Sequence, residues 1–391
     1  MKRILMVIPT LRMGGAEKSL ISLLKALDPQ RVAVDLFLFE AGGVLQAEVP
    51  DWVNILEADA VTRGMTLELR YYLRELIKKR CFKETIARVW MSIRPKISSK
   101  PYFSWGGVKR YIPALTPSYD VAVGFLEGTA DFFVQDKVTA KKKIGWIHTD
   151  YTGRKPNDEE KQYYSRFDNL VTITDMCKVG FEKAYPETAG KLQVIENIVL
   201  TDDVVVKAMS SDVENWKTTV NYHLVTVGRL DHHKGIDIAA KAAKILKESG
   251  RQFCWHVYGQ GSMQSDLEQY IQENSLEECF VLEGLRSNPY PYMKQADMIV
   301  QPSRVEGKSL VLDEAKILGK AIVVTDYPSV RDQITDRVTG LVVGMTPEGI
   351  ARGIEMLLED GELRQRLGAN AAREPNSSYL ALEKFYRLIE G

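Results

Sequence analysis

The sequence predicts an α/β protein made of two doubly wound domains, and three observations carry that expectation. Short, continuously apolar runs such as Ile4 to Pro9 and Leu224 to Val227 fit strands buried on both faces of a parallel sheet. Each run leads through a Gly-containing turn into a helical stretch, the rhythm of a doubly wound sheet, and that rhythm restarts after a polar segment near residue 201. At 391 residues the chain is long for one hydrophobic core and comfortable for two. The expected organisation is a first domain over 1–199 with an insertion at 61–113, a linker at 200–219, a second domain over 220–374, and a C-terminal segment at 375–391.

In the first half, Ile4 to Pro9 is the opening strand, and TLRMGGAEKS turns into a helix reaching Leu27. Gly14 and Gly15 stand between strand and helix, where missing side chains let backbone amides approach a phosphate. This is no GxGxxG, so the dinucleotide fingerprint is absent. Val32 to Phe39 is the second strand. Later strands are read at Val121 to Phe125, Lys143 to Trp146 and Val171 to Thr174, with a helix from Lys178 to Tyr185. His148 falls just past a strand's carboxyl end, the rim where open α/β sheets bind ligands, and Asp150 follows it.

Between Arg63 and Arg110 the rhythm breaks: thirteen Lys or Arg face three Glu, interleaved with aromatics such as Tyr71, Tyr72, Trp90 and Phe103. A basic, aromatic-rich amphipathic stretch suits an anionic membrane surface, and equally a helical pair with a solvated basic face. No nucleic-acid-binding module accompanies it, and Lys plus Arg balance Asp plus Glu at 52 each, so nucleic acid is not an expected partner. The four cysteines are scattered without a CxxC pair, as in a reducing compartment. No apolar run reaches the about 18 to 20 residues needed to span a bilayer, and the N-terminus reads as a strand. A cytoplasmic location, peripheral on the inner membrane face, is expected.

The second half repeats the pattern. Thr201 to Thr219 reads as a polar linker. The string GRLDHHKG then sets Gly228, Arg229 and Lys234 at the end of a strand and the start of a helix, where two cations can neutralise a diphosphate. His232 and His233 are adjacent and read as loop residues rather than metal ligands. Gly259 and Gly261 follow the next strand. Phe280 to Leu285 is another, with Gly284 and Leu285 at its end. Asp297 to Val300 then leads into QPSRVEGKSLVLDEAKILGKAIVVTD: a polar turn, a helix from Ser309 to Leu318, and a strand from Ala321 to Thr325. Ser309 is positioned to cap that helix and Gly319 to end it. The helix N-terminus, with Gly307, suits a phosphate, while Glu306 and Glu314 can accept from two sets of hydroxyls. A capped surface helix with two solvated acids would carry the same letters. An amphipathic helix from Ser378 to Ile389 closes the chain.

EGKSLVLDEA resembles the Glu-x7-Glu motif of the retaining family-4 glycosyltransferases, which have the GT-B fold of two Rossmann-like domains with the donor in the cleft between them. The resemblance spans both domains and is most specific from Val225 to Asp326; nothing in residues 60 to 113 matches. It implies that Glu306 binds sugar hydroxyls and Glu314 ribose, with Gly307, Lys308, Ser309 and Leu310 completing the donor loop. It likewise implies that Arg229 and Lys234 hold the diphosphate, beside Gly228, and that Gly259, Gly284 and Leu285 border the nucleoside. GGAEKSL resembles the family's first loop, which puts Gly14 and Gly15 at the diphosphate. His148 then faces the donor sugar at the reacting carbon, and the last helix crosses back to the first domain. Lys308 and Ser309 depart from the family's usual residues, which singles out Lys308 for an anionic donor group.

The reading is a retaining transfer from a nucleotide-sugar, most simply a UDP-sugar, to a hydroxyl of a saccharide acceptor. A lipid-linked acceptor in capsule, cell-wall or exopolysaccharide assembly fits the basic stretch. No cofactor and no metal are expected: the sequence has no Asp-x-Asp, so Arg229, Lys234 and helix dipoles take the cation's place. With no carboxylate placed as nucleophile, front-face attack with the leaving phosphate accepting the proton is preferred. Three other classes stay open: a nucleotide-sugar-binding assembly protein without turnover, a nucleotide-sugar 2-epimerase of the same fold, and an NAD-dependent oxidoreductase, the last disfavoured by the missing GxGxxG.

Overall fold

β1 (Lys2–Thr10) is the pivot of the first sheet, its residues Ile4 to Ile8 wholly buried as a central parallel strand requires. The computed structural model describes residues 1–66, 85, 105–210, 216 and 221–391. These divide into two units: Met1–Ile173, Lys178–Ile195 and Leu380–Gly391 form the first, and Thr174–Cys177 with Glu196–Tyr379 the second.

The first unit adds β2 (Val32–Glu40), β3 (Asn54–Glu57), β4 (Ser118–Gly124), β5 (Thr139–Ile147), β6 (Asn169–Thr172) and β7 (Leu192–Val194). All pair in parallel, in the order β3-β2-β1-β4-β5-β6-β7. The order reverses between β1 and β4, so the loops leaving their carboxyl ends diverge and open a crevice, the ligand position of such sheets. β3 is a strand the sequence reading missed; it is four residues long and half exposed at the sheet edge.

The second unit repeats the plan with β8 (His223–Val227), β9 (Cys254–Tyr258), β10 (Phe280–Gly284), β11 (Met298–Gln301), β12 (Ala321–Thr325) and β13 (Leu341–Val343). Again all are parallel, ordered β10-β9-β8-β11-β12-β13, with the reversal between β8 and β11. One face packs on the alanine-lined side of the helix Ile236–Glu248 and the other on the helix Leu310–Ile317.

Two boundaries differ from expectation. The polar start of the expected linker is the helix Thr201–Lys207, with Asp202 and Asp203 in its first turn, Lys207 in its last, and Val204 buried in the second unit's core. Its charges complement the helix dipole on a solvated face, which composition alone read as a linker. The second unit also begins earlier, at Glu196, and includes Thr174–Cys177. The C-terminal helix Ser378–Glu390 spans the last crossing, and its residues from Leu380 on belong to the first unit. There Lys2 and Lys142 donate to its terminal carbonyls at Ile389 (2.7 Å) and Leu388 (2.6 Å), cations at the negative helix end. The Tyr386 hydroxyl accepts from Asp28 N at 2.7 Å while Arg31 lies over its ring at 3.6 Å.

The basic stretch expected to meet a membrane lies mostly outside the described residues. Of its described cations, Lys109 is paired with Asp136 at 3.0 Å, and Arg110 lies 4.7 Å from the centre of the Tyr111 ring. Among the described residues no helix is long and apolar enough to cross a membrane, and Cys177, Cys254 and Cys279 are in no disulfide.

Candidate functional site

In the second unit the loops after β8, β9 and β10 lie against one another before any ligand is considered. Gly228 N donates to Tyr258 O (3.0 Å), Leu230 N to Gln260 O (3.1 Å) and Gly259 N to Gly284 O (2.9 Å). A Cβ on Gly259 would stand 1.8 Å from Gly228 O and one on Gly261 2.3 Å from Leu230 O. These glycines are therefore demanded by loop-on-loop packing, a reason closer to hand than contact with a nucleoside. Gly284 takes a positive φ of 72° and Leu285 is exposed beside it.

The stretch after β8 closes as a short 3₁₀ turn, His232–Lys234, with the Asp231 side chain accepting from Lys234 N at 3.2 Å. Gly235 follows at φ 66°, where a Cβ would stand 2.0 Å from Pro302 O. Arg304 pins this turn to the loop after β11. It forks onto Asp237 at 2.7 and 2.6 Å and donates to His232 O at 2.7 Å, the planar, two-pronged contact only a guanidinium makes.

That fixes Lys234 next to Glu306. Lys234 Nζ lies 2.6 Å from Glu306 Oε1, and the same oxygen accepts from Ser303 Oγ at 2.6 Å and Gln301 Nε2 at 2.9 Å. Among the described residues no donor reaches Oε2. Arg229, in contrast, is 67 % exposed and, among the described residues, pairs with Asp231 at 3.1 Å. The two cations that the sequence groups together thus differ: one is built in and one reaches outward.

The helix Leu310–Ile317 begins one residue later than expected, and Ser309 does not cap it. Its hydroxyl donates instead to Gln301 Oε1 at 2.8 Å, while Gln333 holds the Ser309 backbone, accepting from N at 2.8 Å and donating to O at 2.9 Å. Gly319 does end the helix, at φ 66°. Glu314 is 2 % exposed, with Oε1 accepting from the Tyr290 hydroxyl at 2.9 Å. Lys308 is also turned inward, paired with Glu196 and Asp313 and 5 % exposed, which contradicts the expectation of an outward contact with an anionic donor group. Gln301, Ser303, Arg304, Gln333 and Tyr290 are the residues missed at sequence level.

The rim of the first unit is looser. Gly14 is the extended N-cap of the helix Gly15–Ala26, overlain by the Glu17 carboxylate, while a Cβ at Gly15 would meet nothing within 4 Å. Past β5, His148 N donates to Glu127 Oε2 at 2.9 Å and Thr149 Oγ1 donates to Glu127 Oε1. The His148 ring leans on Phe125, centroids 5.0 Å apart, and its Nε2 is buried with no hydrogen-bond partner among the described residues. Burial pushes this imidazole down to about 3, so it is a neutral acceptor or donor near pH 7. Asp150 is buried and occupied by Thr152 N at 2.8 Å.

Residues 211–374 match the family model described as glycosyl transferases group 1. An alpha-D-kanosaminyltransferase of Streptomyces kanamyceticus is 34 % identical over 39 % of this chain and 40 % of its own length. A Campylobacter jejuni N-acetylgalactosamine-N,N'-diacetylbacillosaminyl-diphospho-undecaprenol 4-alpha-N-acetylgalactosaminyltransferase is 30 % identical over 45 % of this chain and 46 % of its own. The chain thus spans less than half the length of either relative. Two solved structures match over the full length of both chains. One is a mutant of S. aureus TarM in complex with Fondaparinux, alpha-GlcNAc-glycerol and UDP (TM-score 0.71, 15 % identity). The other is Anabaena HepE in complex with UDP and glucose (TM-score 0.69, 16 % identity). The two parallel sheets and these likenesses make the fold GT-B.

Proposed function

We propose that this GT-B chain, whose residues 211–374 form a group 1 glycosyltransferase domain, moves a sugar from a nucleotide-sugar to a hydroxyl of a saccharide acceptor in bacterial glycan assembly. The observation that carries the reading is the Lys234–Glu306 pair at the reversal between β8 and β11, 2.6 Å apart. With Oε1 saturated by three donors, Glu306 turns Oε2 to the hydroxyls of the donor sugar. Lys234 and the outward Arg229 take the diphosphate, together with the amides at the start of the helix Leu310–Ile317. Glu314 meets the ribose, and Gly284 and Leu285 border the base.

Charge grows on the leaving diphosphate as the sugar bond breaks, so cations fixed in advance stabilise the transition state more than the ground state. The reaction retains configuration by front-face attack. The acceptor hydroxyl bonds to the anomeric carbon as the sugar–phosphate bond breaks on the same face, and its proton passes to the departing phosphate oxygen. No metal is needed, since the cations do its work. The donor is a UDP-sugar and the acceptor lipid-linked, as supported by the UDP in the TarM and HepE complexes and the diphospho-undecaprenol substrate in the Campylobacter protein's name.

A panel of UDP- and GDP-sugars tests this through thermal stabilisation and nucleotide release. One donor raising the melting temperature and being slowly hydrolysed is the expected result. Stabilisation without release, even with lipid-linked saccharides supplied, indicates a binding protein; no response to any donor overturns the site.

A further inference from the structure

Lys308 sits two residues after Glu306, yet its ammonium is itself enclosed and serves two carboxylates at its sides that keep some solvent exposure. Beyond the Glu196 pair, Asp313 lies at 3.4 Å. What matters is where those partners lead. Glu196 is the first residue of the second unit after the chain leaves the first at Ile195. Its Oε2 also accepts from Ser377 Oγ at 2.7 Å, just before the chain returns to the first unit at Leu380. In the other direction Asp313 accepts from Gln333 Nε2 at 3.0 Å. Gln333 grips the Ser309 backbone, Ser309 Oγ donates to Gln301 at 2.8 Å, and Gln301 donates to Glu306 at 2.9 Å. Gln301, Ser309 and Gln333 are all buried. A continuous polar chain therefore runs from both crossover segments, through one buried cation, to the carboxylate of the candidate site.

We propose that Lys308 is a positioning residue for Glu306, fixing the direction of Oε2 by holding Asp313, Gln333, Ser309 and Gln301 in one arrangement anchored at Glu196 and Ser377. The inference rests on the reading of Glu306 as the donor-sugar carboxylate. A fully satisfied buried network is rigid, and one lacking a member rearranges. Without the ammonium, Asp313 loses a cation partner and meets Glu196 as a like charge, and the two carboxylates separate. Asp313 then no longer orients Gln333, and the grip on the Ser309–Gln301–Glu306 branch loosens. Lys308 does this without touching ligand, since its charged end is enclosed.

Full-length Lys308→Met and Lys308→Arg are compared with the wild type by nucleotide release from whichever UDP- or GDP-sugar the wild type hydrolyses, by calorimetric affinity for UDP and GDP, and by amide hydrogen exchange over residues 303–309. The expected result for Lys308→Met is a loss of about 100-fold in kcat, the cost of misplacing a reacting group by an ångström, with nucleoside diphosphate affinity unchanged and exchange over 303–309 accelerated; Lys308→Arg restores all three toward wild type. If Lys308→Met does not fold, Glu196→Gln and Ser377→Ala cut the same chain at its outer end, and both are expected to lower kcat and speed exchange. Wild-type kcat in a folded variant overturns the proposal. A loss of UDP or GDP affinity matching the loss in kcat also overturns it, by placing Lys308 on the ligand. Should the wild type hydrolyse no donor, the donor-site reading fails. The exchange comparison still decides on Lys308, because unchanged protection over 303–309 removes the network's role.

Discussion

Lys234, Gln301 and Ser303 converge on one oxygen of Glu306 at the carboxyl ends of β8 and β11, whereas at the end of β5, in the first unit, His148 keeps a buried Nε2 with no hydrogen-bond partner among the described residues. Gly259 and Gly261 are forced by neighbouring backbone, as is Gly43 of the first unit, whose Cβ would stand 2.2 Å from Leu11 O, while a Cβ at Gly15 would meet nothing within 4 Å. One sheet plan has thus produced site residues held in two different ways. The second unit's rim is preorganised: its charges hold their places without ligand, so binding needs little reordering. In the first unit the His148 Nε2 is without a hydrogen-bond partner among the described residues, as the Tyr258 hydroxyl is at the end of β9 in the second, and such a group's cost is relieved when something else supplies a partner.

The comparison breaks most visibly at Lys234. Lys234→Met is expected to lower kcat about 10²- to 10³-fold, the scale on which removal of one preorganised electrostatic contact acts, while nucleotide release by a variant within severalfold of wild type would show that the pair is structural only. Next comes the glycine contrast. Gly259→Ala is expected to cost at least about 1 to 3 kcal/mol of stability in urea, as overpacking against fixed backbone does, and Gly15→Ala to stay within about 0.5 kcal/mol. Equal costs would mean that the two positions are not held differently.

The smallest effect is the pH dependence from His148. An unfolded imidazole takes up its proton below about pH 6.5, and the native one only near 3. The unfolded state therefore binds more protons across that window, and stability falls as pH falls through it. Asp131, whose carboxyl burial raises well above the usual range, has the opposite slope. The imidazole is thus read from the difference between wild type and His148→Asn. That difference is expected to be flat above pH 7 and to turn against the wild type from about 6.5 downward; a difference independent of pH contradicts the buried, neutral assignment.

Much of this was legible in the letters, and the exceptions have physical causes. Buried parallel strands are apolar runs, so most strands were visible with their ends shifted, while β3 was too short and too exposed to show. Glu306 and Lys234 were visible through motif and placement, but their pairing was not: 72 residues separate them, and only the reversal of strand order brings them together. Ser309 had the right residue type for a cap, yet its hydroxyl turns to Gln301, eight residues back, instead of to the helix amides. Lys308 misled because its partner Glu196 lies 112 residues away. The one available signal for Gln301 and Ser303 was a polar run continuing straight out of a wholly buried strand, where uncompensated polarity is costly.

The most direct test of a preorganised donor carboxylate is Glu306→Gln, which keeps the shape of the side chain and removes its charge. Nucleotide release from the preferred UDP- or GDP-sugar is measured alongside calorimetric affinity for the free nucleoside diphosphate. The account predicts a fall of about 10²- to 10³-fold in kcat with that affinity kept. Release at the wild-type rate, or loss of nucleoside diphosphate binding with no further effect on turnover, would contradict it.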